Sequence, residues 1–438
     1  MVDINKKTWK PEDEKKHDSS IMEWWAIEGF FKTKENKKNW SIKTVFIEWF
    51  ESEKDNGSSF ILTLFDQDEN KFYNYDIKKA GEKLEIKENK HYIKFYGNRL
   101  KGSYPRYEMF LKDKKNKIEI KIILEAESKP RWIAQDISDG WLPIGLGFYR
   151  YGFIPKCKIS GKMRKSEQEY TIQGQGYYEH IWGDLWFDNP LSSISGLGKT
   201  LSIYSKLAGW WLKNNNPKIP SALTITSENS PFGYDWAWAL FDNGWSIFYG
   251  NIMLWLSEGP VFGTLILTKD GENYKEFCNA TFKYNKKEYS KNYDFYYPTD
   301  LELTAEDNEE KIHLRFKMTN IVREYVSKFP YSKFWKALVI CESPGIVKGY
   351  HYYKDNKKTT LSGICKIEPQ RQISILGHNS LKIKILKPPK GVGINLKLMS
   401  HFFRKKINLK LNLLPKIKCK INFKKIKNDK IIDNRKIK

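Results

Sequence analysis

The chain has 438 residues, 40% hydrophobic, 15% aromatic and 29% charged, enough for two domains with a sizeable core. Its net charge of +24 is unevenly placed: residues 381–438 carry 19 Lys and Arg against Asp429 and Asp433, a net +17, which leaves +7 on the first 380. That excludes a uniformly polycationic surface and sets a basic tail apart from an ordinary body.

The aromatic load, 16 Trp, 25 Tyr and 25 Phe, favours a β-rich fold over a helical bundle. Cys157, Cys278, Cys341, Cys365 and Cys419 are scattered, with no CxxC and no metal-ligand spacing, which reads as a reduced, intracellular chain. Residues 1–20 are polar, without an apolar signal region, and no apolar run approaches the ~18 residues of a spanning helix. A cytoplasmic protein is expected.

In chain order, residues 42–50, 60–65, 71–77, 91–96, 107–111 and 118–125 read as short strands divided by Gly, Asn, Asp and Lys turns. The first is apolar-rich, with Lys43 and Glu48 as its only charges. The last alternates Ile118, Ile120, Ile122 and Leu124 against Glu119, Lys121, Ile123 and Glu125. Strands at ~8–12-residue spacing predict a sandwich or barrel. A closed barrel has no exposed edge and leaves room for one small ligand. Residues 143–152 thread glycines through aromatics, which predicts a bend or a close backbone approach.

Next comes Gln175-Gly176-Tyr177-Tyr178-Glu179-His180-Ile181-Trp182-Gly183-Asp184. On a strand, Tyr178, His180 and Trp182 share one face, and Tyr177, Glu179 and Ile181 the other. A histidine between two large rings offers a proton donor or acceptor near neutral pH, tuned by burial. It also reads as an ordinary structural histidine.

Asn189-Pro190 breaks the strand. Within residues 191–220, Leu197, Leu201, Tyr204, Ala208 and Trp211 fall at helical spacing, and Pro217 and Pro220 close the stretch. This predicts a helical insertion, either docked on the barrels or acting as a lid or a membrane foot through Trp210-Trp211-Leu212. A second β block follows. Residues 236–249 predict a hairpin turning on Asn243-Gly244, with further strands at 252–256, 261–268, 277–284, 312–318, 337–341 and 360–367. There is no G-x-G-x-x-G after a strand, no P-loop, no H-E-x-x-H and no G-x-S-x-G, so neither cofactor nor metal is expected.

The 175–184 segment resembles the Gly-x-Gly-Tyr-x-(Asp/Glu)-His-x-Trp-Gly signature of the lipocalin-like carotenoid 1,2-hydratase (hydroxyneurosporene synthase) and AttH superfamily. It is also similar to the Tyr-x-Glu-x-Asn-Trp-Gly element of tocopherol cyclases. Upstream, Glu23-Trp24-Trp25-Ala26-Ile27-Glu28-Gly29 is similar to the family's Glu-Trp-Trp-x-x-x-Gly opening strand, and the resemblance spans about residues 20–370. It implies an all-β chain of two lipocalin-like antiparallel β-barrel domains. These fall at 20–190 and 221–375, with the helical insertion at 191–220 between them and the basic tail at 381–438.

The resemblance further implies acid-initiated hydration or cyclisation of an isoprenoid double bond. His180 is then the proton relay, Trp182 and Tyr178 the aromatic wall, and Glu179, Trp25, Trp236 and Trp238 complete the substrate-binding set. Tyr249 is expected to reach the same cavity from the second domain. The family's downstream Tyr-x-Asp pair has its nearest counterpart in Tyr249-Gly250-Asn251, where an amide, which cannot protonate an alkene, replaces the carboxylate. Asp235 and Asp242 lie close enough in sequence to compensate. Two competing readings are a non-catalytic carrier of an isoprenoid or other apolar lipid, and a motif that only welds the barrels.

The tail alternates Ile, Leu and Phe with Lys, and is expected to be disordered or to bind an anionic membrane surface. Each basic residue near such a surface contributes about 1 kcal/mol, and Phe402, Phe403, Leu411, Leu413 and Leu414 could add insertion. Nucleic acid has no motif to support it. The expected location is therefore cytoplasmic, peripheral on the inner face of the membrane.

Overall fold

The structure is a computed structural model describing residues 9–425 except 51–52, 54, 88–90, 186–195, 215–221, 227–232, 253–261, 278–279, 294, 320–321, 330–331, 333–334, 356, 375–379, 386–391, 401–404 and 413–417. At 222–226, 252, 262 and beyond 379 it describes the backbone alone. The described strands are antiparallel and form three sheets, of which the two larger are curled, each a lipocalin-like half-barrel, as the two alternating blocks predict.

The first sheet runs in the order Lys71–Ala80, Asn56–Asp66, Asn39–Phe50, Met22–Thr33, Gln168–Asp184, Gly147–Lys165, Ile118–Ala126, Arg106–Asp113, Asn98–Ser103, Tyr92–Phe95, Glu85–Lys87. At its centre Glu23 faces Trp182, Trp25 faces His180 and Ile27 faces Tyr178 across the ladder. Alternation then sorts the side chains. Trp25, Ile27 and Tyr178 enter the core inside the curl with Ile120, Ile122 and Leu124. Tyr151, Phe153, Tyr177 and Ile181 join a second apolar layer on its outer face.

The inside of this half-barrel is filled by the N-terminal segment. Trp9 stacks on Trp132 with ring centroids 4.9 Å apart. Glu14 accepts hydrogen bonds from Tyr104 N and the Tyr107 hydroxyl, both at 2.9 Å. Where the segment crosses the sheet stands Gly152, at which a Cβ would lie 1.9 Å from the Trp9 ring. The close approach expected in 143–152 is therefore real. The bend falls at 145, between the paired strands Trp141–Ile144 and Gly147–Lys165.

The second sheet runs Tyr274–Phe277, Phe262–Thr268, Ser246–Ile252, Tyr234–Phe241, Lys358–Ser374, Trp335–Tyr353, Glu310–Met318, Phe295–Glu306, Thr281–Ser290. The Asn243-Gly244 hairpin forms, with Gly244 at φ +86°. Ala237, Ala239 and Tyr249 fill this half-barrel, while Trp236, Trp238 and Phe248 pack on the outer face of the first sheet. Phe153 and Phe248 stack at 4.6 Å, and Trp238 Nε1 donates to the Pro155 carbonyl at 2.8 Å. Burying a phenylalanine this way stabilises by roughly 1.5–3 kcal/mol.

A helix does occupy the insertion, at Leu197–Asn214. Its buried stripe is Thr200, Ile203 and Leu207, whereas Leu201, one of the residues at helical spacing, is 54% exposed. The Tyr204 hydroxyl donates to the Gly145 carbonyl at 2.8 Å and that of Thr200 to Leu146 at 3.0 Å, which docks the helix on the 144–147 turn. Pro190, Pro217 and Pro220 lie outside the described residues.

The basic tail departs from the expectation of disorder. Ser380–Ile385, Val392–Ser400, Lys405–Asn412 and Lys418–Lys425 are successive antiparallel strands. They continue from Ala222–Thr226, which pairs with Ser380–Ile385 and so belongs to the tail's sheet, not to the second half-barrel. The period-2 alternation of Lys with Ile, Leu and Phe is itself a strand signal. Leu256, Phe402, Phe403, Leu413 and Leu414 lie outside the described residues.

Candidate active site

Between the outer face of the first sheet and the second domain lies a cavity of about 400 Å³, within the roughly 300–1,000 Å³ of small-ligand sites. Trp24, Tyr149, Ile181, Trp236 and Phe248 give it an apolar wall, and the exposed Lys78 and Lys328 mark its outer end.

Glu179 is set into this wall beside Tyr151 and Tyr177. The two phenolic oxygens are 2.8 Å apart, Tyr177 Oη is 2.9 Å from Glu179 Oε2, and Tyr151 Oη is hydrogen-bonded to the same Oε2. Three oxygens thus make a triangle with three hydrogen-bonded edges. Each phenol has one proton to give, so the third edge requires a proton on Glu179. Trp236 Nε1 donates to Tyr151 Oη at 2.9 Å and Trp24 Nε1 to Glu179 Oε1 at 3.3 Å. Burial pushes the Glu179 pKa up to about 7, against the hydrogen bond from Tyr151. Such a carboxyl can give up a proton to a ligand, and donors are already in place for the anion left behind.

A buried charge cluster shares the wall. Lys43 Nζ lies 3.3 Å from Glu28 and 3.0 Å from Glu342, and donates to Glu368. Lys366 Nζ donates to the Ile42 carbonyl at 2.6 Å and lies 3.1 Å from Glu28, and Tyr234 donates to Glu368 at 2.8 Å. Burial alone would lower the Lys43 pKa, but the three carboxylates hold it well above the usual range. The cluster joins Glu28 and Lys43 of the first domain to Glu342, Lys366 and Glu368 of the second.

His180, Trp182, Tyr178 and Trp25 do come together, but inside the first half-barrel. His180 is fully buried, with Nδ1 2.8 Å from the Asp13 carbonyl and Nε2 2.8 Å from Glu23 Oε1. Trp25 and Trp182 lie 4.7 and 4.9 Å from its ring, and Tyr178 stacks on Tyr107 at 4.3 Å. Burial lowers the His180 pKa despite its bond to Glu23.

Tyr249 is in the core of the other half-barrel, accepting from Asn251 Nδ2 at 3.0 Å, and Trp238 packs the seam. The expectation that His180 and Tyr249 meet in one cavity is therefore corrected. The strand alternates as anticipated, but it is the Tyr177–Glu179–Ile181 face that meets the second domain. The His180 face is occupied by the N-terminal segment. Of the expected site residues, Glu179, Trp236 and Asn251 reach the cavity.

The carboxylate missing at Asn251 is present as Asp235, whose backbone N–H donates to Asn251 Oδ1 at 2.8 Å. Asp235 also reaches the cavity, but it is ion-paired with Arg371 at 2.7 Å and hydrogen-bonded by Tyr284, so its carboxylate is already engaged. Asp242 is an exposed turn residue.

Sequence reasoning missed Tyr151, Trp24, Glu28, Lys43, Tyr234 and Glu368. Lys43 did carry a signal, as one of two charges in an apolar strand. Trp24 and Glu28 stand in the 23–29 motif, which does not show which of its residues face the cavity, and Tyr151, Tyr234 and Glu368 are assembled by packing.

Fold and site together define a two-domain lipocalin-like protein with a carboxyl-walled cavity at its seam. No protein-family model and no curated protein matches the chain. Among solved structures it is similar to an AttH-like protein of Nitrosomonas europaea, with a TM-score of 0.56 and 14% identity over 83% of this chain and 96% of that one. It is also similar to kievitone hydratase of Nectria haematococca, with a TM-score of 0.53 and 11% identity over 83% and 93%. What these share with the chain is the fold. No helix among the described residues is long and apolar enough to cross a membrane.

Proposed function

We propose that the protein is a hydratase- or cyclase-type enzyme that protonates a carbon–carbon double bond of an isoprenoid or prenyl-bearing ligand held in the interdomain cavity. Glu179 is the acid. The observation that carries this reading is the Tyr151–Tyr177–Glu179 triangle, whose hydrogen bonds need a carboxyl proton at an apolar cavity wall. The alkene π pair takes that proton as a new C–H bond and leaves a tertiary cation.

Tyr151, Tyr177 and Trp24 then hold the Glu179 carboxylate, and the faces of Trp236, Phe248 and Tyr149 stabilise the cation through their quadrupoles. Water, or a hydroxyl of the ligand, bonds to the cation and returns its proton to Glu179, completing hydration or ring closure. The similar fold of a protein named as a hydratase supports the reading. The basic tail is proposed to bring the protein to an anionic bilayer on the inner face of the membrane, where such ligands partition.

Lipid extracted from the purified protein and identified by mass spectrometry supplies the test ligand. Glu179→Gln is expected to bind it almost normally but to lose turnover by about 10²–10⁴-fold. A wild type that binds the ligand and converts none of it would be a carrier, and the enzymatic reading would fall.

A further inference from the structure

Apart from the interdomain cavity, the described residues contain one gathering of metal-binding side chains: His17, Glu23 and His180, whose ligand atoms all lie within 4.8 Å of one another. We propose that these three form a binding site for a divalent transition-metal ion, of which zinc is the best match, and that the ion clamps the N-terminal segment into the first half-barrel. The chemistry at Glu179 is independent of this site.

Hydrogen bonding around His180 raises the question. Both ring nitrogens face acceptors: Nδ1 is 2.8 Å from the Asp13 carbonyl and Nε2 is 2.8 Å from Glu23 Oε1. A neutral imidazole has one N–H. One of the two contacts therefore lacks a proton unless the ring is an imidazolium or Glu23 carries the proton, in a position with no exposure to water. His17 Nδ1 also lies 2.8 Å from Glu23 Oε1, so the three groups converge on one point.

A cation among the three groups resolves the question. His180 keeps its proton on Nδ1 for the Asp13 carbonyl, as metal-bound histidines commonly do, and turns the Nε2 lone pair on the ion. His17 Nδ1 and the Glu23 carboxylate supply the other two ligands, and Glu23 Oε2 is steadied by the His17 backbone N–H at 2.9 Å. The spacing fits after a small opening: in a tetrahedral site with ligands ~2.0–2.1 Å from zinc, donor atoms stand about 3.3 Å apart, so the two 2.8 Å contacts with Glu23 widen by about 0.5 Å as the ion enters.

The surroundings also fit. Trp182 stacks on His17 at 3.8 Å and Trp25 on His180 at 4.7 Å, so apolar rings fix both imidazoles and shield the centre. Two imidazoles with one carboxylate select transition metals over magnesium or calcium. The sequence shows no metal spacing because residues 17, 23 and 180 meet only once the N-terminal segment has folded in.

Full-length protein stripped with EDTA and titrated with zinc chloride by calorimetry is expected to take up one ion per chain. Cobalt(II) in its place should give visible d–d absorption. Glu23→Gln and His180→Gln should weaken zinc binding about 100-fold or more. Because His180 is buried, His17→Ala is the second test. That side chain is 23% exposed, the most accessible of the three. It should weaken zinc binding equally and abolish any zinc-dependent rise in Tm, whereas His313→Ala should do neither. Folded wild-type protein without saturable zinc uptake, or uptake undiminished in His17→Ala, overturns the proposal and leaves His180 as a buried histidine hydrogen-bonded to Glu23.

Discussion

Removing one hydroxyl from the Tyr151–Tyr177–Glu179 triangle leaves its oxygens sharing fewer protons, and the effect falls on the anion formed after proton transfer. Tyr177→Phe deletes one of the donors to Glu179 Oε2. A hydrogen bond to a charged group is worth ~1.5–3 kcal/mol, so kcat is expected to fall by roughly 10- to 100-fold with KM little changed. Tyr151→Phe should cost more, because it also strands the Trp236 indole N–H. Tyr249→Phe is the contrasting case. Its ring lies in the other half-barrel and its hydroxyl is bonded to Asn251. It is expected to lower stability by about 1 kcal/mol and leave turnover as in the wild type. A loss of turnover in Tyr249→Phe with ligand binding intact would return that tyrosine to the reaction.

At the scale of elements, two kinds of contact hold the half-barrels together: the aromatic layer around Trp238 and Phe248, and the charge cluster around Lys43. Trp238→Ala should destabilise by about 3–5 kcal/mol in urea unfolding. Lys43→Ala should cost a similar ~3–5 kcal/mol, because Glu28, Glu342 and Glu368 lose their shared cation. If Lys43→Ala unfolds at the wild-type urea concentration, the cluster contributes nothing to docking. Much of this architecture is legible in the sequence. Period-2 alternation gives the strands and the two faces of the 168–184 strand, and Asn243-Gly244 gives its hairpin. Which face meets the second domain is not legible. Tyr178, His180 and Trp182 are as buried as Tyr177, Glu179 and Ile181, so no polar side marks the outside. In the Leu197–Asn214 helix, spacing reveals the element but not its buried stripe, because Leu201 and Ile203 are equally apolar. In the tail, the count of lysines hid the strand alternation between them.

For the whole molecule, the tail is the part whose removal separates location from fold. Deleting residues 381–438 takes away the partner of Ala222–Thr226 but no strand of either half-barrel. The main melting transition is therefore expected to stay in place, while sedimentation with anionic vesicles is lost. Equal sedimentation of the truncated protein would sink the membrane assignment. The cavity has a further consequence because of where it lies. It is walled by Trp24, Glu28 and Lys43 from one domain and by Trp236, Phe248 and Glu368 from the other, so an occupant is bound only while the two halves are docked. By mass action, a ligand at 100 times its Kd then adds about 2.7 kcal/mol to the folded state. Melting temperature thus becomes a blind assay: any molecule that fits the seam, whether or not it is ever converted, announces itself as heat resistance.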